Sequence, residues 1–295
     1  MEKKNVVSAI ITVMAALAVF ELGKSMGMLL VQFSLPIFFP VMFSGSEAAA
    51  EEFLNQQMMG VTLEAILGSI LSLIMQCTGM LVCFILWRKE MRNKWVVYNL
   101  TWEPKAGRPL WQASLLVFTV AIAGCLGLNL IMNGLQLTLF SEEFLEVAES
   151  QTSVPVVFGV LMYGLVSPLA EEIVFRGVIY GKMKKAVGAS TALPLAALFF
   201  AIYHGNIIQG VYAFLIGAVL CYLYEKSGSL WPAVIFHGVG NLAVYLIIGI
   251  GGVIDHIGNA AACVLGIGLT ALAVWVFLRG FGKPELEIEK ESQFG

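Results

Sequence analysis

Val154–Tyr180 reads VPVVFGVLMYGLVSPLAEEIVFRGVIY, an apolar run that holds two glutamates and an arginine near its centre. At about 1.5 Å of rise per residue, a helix of about 20 residues crosses a hydrocarbon core of roughly 30 Å. The run is therefore long enough to span a membrane. A charged side chain at mid-bilayer costs roughly 2.5–3.5 kcal/mol on insertion scales. Glu171, Glu172 and Arg176 are functional candidates for that reason.

The rest of the chain has the same character. It is 59% hydrophobic and 13% charged, against roughly 45–50% and about 25% in soluble domains, which excludes a water-soluble fold. Spans are expected at Val6–Phe33, Val61–Trp87, Leu110–Phe140, Val154–Tyr180, Ala189–Tyr203, Gly210–Tyr224, Leu230–Ile250 and Ile257–Leu278. The fold class is all-α, a polytopic transmembrane bundle of about eight spans. Leu35–Phe43, with Pro36 and Pro40, reads as a broken or interfacial extension of the first span. Met1–Lys4 resembles a basic signal-peptide start, but no small-residue cleavage site closes the following apolar run, so a retained first span is expected.

Basic residues accumulate in cytoplasmic loops, and here they fix an orientation. Lys3 and Lys4, then Arg88, Lys89, Arg92, Lys94, Lys105 and Arg108, then Lys182, Lys184 and Lys185, then Lys226, and finally Arg279, Lys283 and Lys290 fall on one side. The opposite loops hold Glu47, Glu51, Glu52, Glu142, Glu143, Glu146, Glu149 and Asp255, with no Lys or Arg. Both termini are thus expected in the cytoplasm, and removing any one span would break the alternation. With no internal repeat, residues 1–295 read as one membrane domain. Residues 154–250 hold four of the spans, and residues 283–295 read as a solvated cytoplasmic tail. Cys77, Cys83, Cys125, Cys221 and Cys263 are odd in number and lie in apolar runs, which points to packing rather than a disulfide framework.

Residues four apart share a helical face, so Arg176 can pair with Glu172, while Glu171 is turned about 100° away. That leaves Glu171 as a free carboxylate, suited to act as a general base in a low-dielectric site. His204 ends the fifth span. His237 and Asn241, again four apart, face the same way in the seventh. His256 falls in an opposite-side loop beside Asp255 and reads as unrelated to the site. Glu21 and Lys24 read as a structural pair in the first span. Any one intramembrane His or Asn is explained by hydrogen bonding between helices. The whole set, on three spans of a chain otherwise nearly free of internal charge, points to chemistry.

Glu171-Glu172-x-x-x-Arg176, Phe200-x-x-x-His204 and His237-x-x-x-Asn241, in that order on consecutive apolar helices, resemble the motifs of the CPBP family. That family groups type II CAAX prenyl endopeptidases with bacteriocin-processing and immunity-related membrane proteins. The resemblance covers about Val154 to Ile250, and implies that residues 154–250 are a catalytic core of four spans. It implies a glutamate-dependent intramembrane endopeptidase in which Glu171 and His204 activate water, His237 and Asn241 stabilise the oxyanion, and Glu172 and Arg176 support the first motif.

No cofactor is expected. Zinc is the alternative, with Glu171, His204 and His237 as ligands and a fourth position for water, although no His-Glu-x-x-His pattern accompanies them. A non-enzymatic immunity or scaffold protein is the alternative function. A transporter would call for paired broken helices in repeated halves, and the chain has none. The expected partners are the lipid bilayer and a membrane-associated peptide or protein substrate, with no nucleic acid. The short loops favour a bacterial cytoplasmic membrane. Along the helix axes Glu171 lies about 16 Å before Lys182, His237 about 10 Å after Leu230 and His204 about 22 Å after Ala189. These depths predict a cavity open to the cytoplasmic, basic side and sealed by the acidic loops on the other.

Overall fold

The computed structural model of the chain describes residues 3–43, 48, 52, 57–58, 61–91 and 110–281. The solvated tail 283–295, and Glu47, Glu51, Arg92, Lys94, Lys105 and Arg108 in the loops, lie outside the described residues. The fold is an all-helical membrane bundle. Its main helices are α1 (Lys3–Phe43), α2 (Leu63–Leu86), α3 (Leu110–Gly134), α4 (Glu142–Ser153), α5 (Val156–Val187), α6 (Ala189–Tyr203), α7 (Ile207–Ser227), α8 (Trp231–Ile250) and α9 (Val253–Phe281). A single turn, Arg88–Met91, follows α2, and the two-residue strands Gln57–Met58 and Val61–Thr62 pair before it.

Among the described residues, 7 helices are long and apolar enough to cross a membrane, and α6 is a shorter apolar helix. These eight helices coincide with the eight spans read from the sequence. Two expectations need correction. The proline-containing segment after Ser34 continues α1 as helix to Phe43. Each proline removes only the hydrogen bond at its own nitrogen, and the neighbouring bonds carry the helix through. The acidic connection after the third span is also not an irregular loop. α3 ends at Gly134, a 3-10 turn covers Leu137–Phe140, and α4 follows. The Ser141 hydroxyl caps α4 by accepting from the Phe144 N–H at 3.2 Å and donates to Glu143 Oε2 at 2.8 Å. Capping of this kind stabilises a helix start by about 1 kcal/mol.

Close helix contacts rest on small residues, as expected where lipid removes any hydrophobic drive between helices. A Cβ on Gly127 of α3 would run into α9 at Thr270, and one on Gly134 would meet the Asn259 carbonyl of the same helix. Gly23 of α1 packs in the same way on Gly79 of α2. α5 is a continuous helix with π-helical turns at Met162–Val166 and Ile173–Tyr180. α8 crosses it with Gly238 against the Gly164 carbonyl.

That crossing positions the site, because His237 is the neighbouring residue. Gly238→Ala would place a methyl group against backbone that cannot move aside, and overpacking of this kind costs about 1–3 kcal/mol. A lower melting midpoint in detergent is the expected result, and an unchanged midpoint would show that the crossing tolerates a side chain.

Contacts between helix ends define two faces of the bundle. At one end, Lys182 donates to Glu90 at 2.9 Å, Lys184 to Glu225 at 2.6 Å, and the Tyr222 hydroxyl to the Phe281 carbonyl at 3.2 Å. This end gathers the C-terminal ends of α5, α7 and α9 with the turn after α2. The hydrogen bond from Lys182 holds the Glu90 carboxyl below its ordinary range, against the opposing effect of burial. At the other end, the Tyr245 hydroxyl donates to the Val154 carbonyl at 3.4 Å, bringing the last turns of α8 to the start of α5. The first end is the basic face and the second, with α4, the acidic face.

Candidate active site

α5 supplies three of the charged residues. Arg176 Nη1 donates to Glu172 Oε1 at 2.7 Å, the i,i+4 pair expected from the spacing, and both side chains are 0% exposed. Arg176 Nη2 donates to the Gly217 carbonyl of α7 at 3.1 Å, and its guanidinium lies 4.4 Å from the Phe200 ring centroid. Stacking of a cation on an aromatic face adds attraction where water is excluded. A Cβ on Gly217 would stand 3.1 Å from the Phe200 ring, tighter than ordinary contact.

Glu171 is held differently. The Ser167 hydroxyl, one turn earlier, donates to Glu171 Oε1 at 2.7 Å. The second oxygen, Oε2, is buried with no hydrogen-bond partner among the described residues. It faces His237 Nε2 at 3.8 Å, too far for a direct hydrogen bond. The other nitrogen of His237, Nδ1, donates to Glu172 Oε1 at 2.8 Å. His237 therefore touches one carboxylate and faces the other, and is itself buried.

His204 caps the C-terminal end of α6. Its Nδ1 is 2.7 Å from the Phe200 carbonyl, which can only accept, so Nδ1 carries a proton, and in the neutral form of the ring the lone pair is on Nε2. The Phe200 ring packs edge-on to His204 and His237, with centroids 4.7 and 5.7 Å apart respectively. One phenyl ring thus touches Arg176 and both histidines. Asn241 lies one turn beyond His237 on α8 and lines the same cavity as Glu171, His204 and His237.

The cavity has a volume of about 910 Å³. From these four residues it runs along Asn129 and Asn133 of α3 and Gln209 of α7 to α4, where Val147, Ala148 and Gln151 line it. It therefore extends toward the acidic face, and the expected opening to the basic face is not found among the described residues. Arg176, Phe175, Ile179 and Tyr180, all fully buried, fill the space on the basic side of the site. Helix depth alone points to the other face because it treats the acidic connection as a seal, whereas α4 is a wall of the cavity.

The sequence-predicted set is brought together on α5, α6 and α8. His256 is not part of it: this exposed side chain has Nδ1 2.9 Å from the Gly252 carbonyl. Glu21 and Lys24 pair at 3.0 Å as expected, and the Tyr203 hydroxyl also donates to Glu21 at 2.9 Å, tying α1 to α6. Among the described residues no three His, Cys, Asp or Glu side chains form a group arranged to hold a metal ion. The five cysteines are free.

Sequence reasoning missed Ser167, which stands four residues before Glu171, the same spacing that revealed the Glu172–Arg176 pair. It also missed the contact between His237 and Glu172, for which no local spacing gives a signal.

These features define a polytopic helical membrane protein with a buried glutamate–arginine pair and two histidines around one internal cavity. Residues 153–243 match the model of the family described as type II CAAX prenyl endopeptidase Rce1-like, and this segment is where the resemblance read from the motifs lies. The matched segment holds every residue of the cluster. No curated protein and no solved structure matches the chain.

Proposed function

We propose that the chain is a glutamate-dependent intramembrane endopeptidase that hydrolyses a peptide bond of a membrane-associated peptide or protein. The observation that carries this reading is the placement of Glu171 Oε2. It is buried and unpartnered among the described residues, belongs to a carboxylate fixed through its other oxygen by Ser167, and faces His237 inside a cavity.

In this reading Glu171 takes a proton from a water held between it and His204 Nε2, and the resulting hydroxide adds to the scissile carbonyl carbon. The negative charge that develops on the carbonyl oxygen is met by the Asn241 amide and by His237 Nε2, protonated on both nitrogens in that role. Donors fixed before the reaction stabilise such charge without reorganising. Glu172 keeps His237 oriented through Nδ1, and Arg176 balances the charge of Glu172. The proton on Glu171 then passes to the leaving nitrogen as the carbon–nitrogen bond breaks. No step in this scheme passes through a metal.

Membrane peptides from cells expressing the chain with Glu171→Ala should contain a precursor that wild-type cells cleave. Purified wild-type protein in detergent should then convert that precursor into two fragments. Identical peptide profiles in the two strains would overturn the proteolytic reading.

A further inference from the structure

We infer that α1, which lies outside the matched residues 153–243, sets the position of His204. Glu21 holds the last turn of α6 through the Tyr203 hydroxyl, and Lys24 balances the charge of Glu21. These three are then positioning residues of the active site and not only a structural clip. Their bearing on catalysis rests on the proteolytic reading, whereas their hold on His204 does not.

The need for an outside hold comes from where His204 stands. It closes α6, its N–H donating to the Ala201 carbonyl at 3.2 Å, and the Gly205 N–H donates to the Ile202 carbonyl at 3.2 Å. Both bonds reach the residue three positions earlier, the tightened pattern of a helix end. Gly205, at φ 79°, then turns the chain away. Such ends fray. The contact of His204 Nδ1 with the Phe200 carbonyl fixes the ring against its own helix, but it cannot hold the turn itself in place.

Tyr203, the residue before His204, supplies the anchor. Its hydroxyl donates to Glu21 Oε1 at 2.9 Å. Its ring lies edge-on to Phe175 of α5, with centroids 5.3 Å apart, and tilted against Phe20 of α1 at 6.3 Å. It also stands perpendicular to the His204 ring, 6.1 Å away. The end of α6 is thus clamped between α1 and the helix that carries Glu171. Ring contacts permit sliding, whereas a hydrogen bond to a carboxylate fixes a distance and a direction.

The charged pair is more than α1 needs for packing. Gly23 already seats α1 on Gly79 of α2, and ionisable residues within a span are costly and by default mark a site. Lys24 meets the same Glu21 oxygen at 3.0 Å, and its ammonium lies 5.4 Å from the Phe20 ring centroid and 6.0 Å from that of Tyr203. Lys24 and Tyr203 both line the cavity that holds Glu171, His204 and His237, so the clamp forms part of the wall of the site.

Three variants test this. Tyr203→Phe keeps the ring and removes only the hydroxyl, Glu21→Ala removes the acceptor, and Glu21→Gln keeps an oxygen in its place. The substrate is the precursor that accumulates with Glu171→Ala. Tyr203→Phe and Glu21→Ala should each lower kcat per folded molecule about 10- to 100-fold at unchanged KM, the loss that a displacement of about 1 Å brings. The two changes combined should cost no more than one of them, and Glu21→Gln should restore most of the rate. Isotope-labelled histidine rings give a magnetic-resonance readout that needs no substrate. The His204 signal, identified by its absence in His204→Ala, should be the same in wild-type and Glu21→Gln protein and broadened or shifted in Tyr203→Phe and Glu21→Ala. Lower melting midpoints with kcat per folded molecule and the His204 signal unchanged would overturn the inference and leave a structural clip. So would independent, multiplying losses in the combined variant. If wild-type protein cleaves nothing while the His204 signal still responds to Tyr203→Phe, the positioning stands and the proteolytic reading fails.

Discussion

Glu171→Ala, His204→Ala and His237→Ala are each expected to abolish cleavage while leaving the protein in the membrane at normal amounts. The three side chains lie around one cavity, and each has its own part in the proposed reaction. Glu171 takes the proton, His204 holds the water and His237 meets the oxyanion. Acid–base assistance of this kind contributes about 10²–10⁴ in rate. Residues that act as a unit are not additive, so a Glu171→Ala, His204→Ala double variant should be no slower than either single one. Asn241→Ala removes one oxyanion donor and should lose about 10²–10³. Loss of Glu171 frees only the Ser167 hydroxyl at the cavity wall, which is why folding should survive. The measurement is turnover of the accumulated precursor alongside immunoblots of the membrane fraction. Near wild-type turnover in any of the three single variants would remove that residue from the mechanism.

Arg176→Ala should act on folding first. Removing one partner of a fully buried pair leaves the other charge uncompensated, at roughly 3–5 kcal/mol. Arg176 also donates to the Gly217 carbonyl and lies over Phe200, so its loss frees a backbone acceptor and a ring face as well. The melting midpoint in detergent should fall sharply, and the amount of folded protein with it. Replacing both partners, Glu172→Gln with Arg176→Gln, removes the uncompensated charge and should partly restore the midpoint. Activity should not return in the double variant, because the Glu172 carboxylate also orients His237. An unchanged midpoint for Arg176→Ala would show that the pair carries no stability.

The spans are legible in the sequence because lipid imposes a length and a composition on every crossing helix, and the eight apolar runs have no competing explanation. The Glu172–Arg176 pair is legible because helical spacing alone brings those residues together. The approach of His237 to Glu172 is not, since it depends on how α8 crosses α5. Only Gly164 and Gly238 hint at that crossing, and glycine is common throughout this chain. α4 escapes notice for a different reason. Its acidic sequence has no apolar run to announce a membrane helix, yet the Ser141 cap and the wall it forms make it part of the cavity. The direction of the cavity is lost with it.

The shortness of α6 ties the site to the thickness of the surrounding lipid. Its span of about 22 Å falls about 8 Å short of a typical hydrocarbon core, and Leu198 and Ile202 on its flank are exposed to the surroundings of the bundle. The turn that follows, Gly205–Asn206, satisfies its backbone locally, the Gly205 N–H donating to the Ile202 carbonyl at 3.2 Å and the Asn206 carbonyl accepting from the Gly210 N–H at 2.8 Å. A span this short is matched by a bilayer that thins beside α6, which would bring the headgroup region closer to His204. Longer acyl chains oppose that thinning by a fraction of a kcal/mol for each ångström of mismatch, and they favour tilting α6 instead. Tilt would swing His204 relative to Glu171, so membrane thickness becomes a control on the geometry of the site.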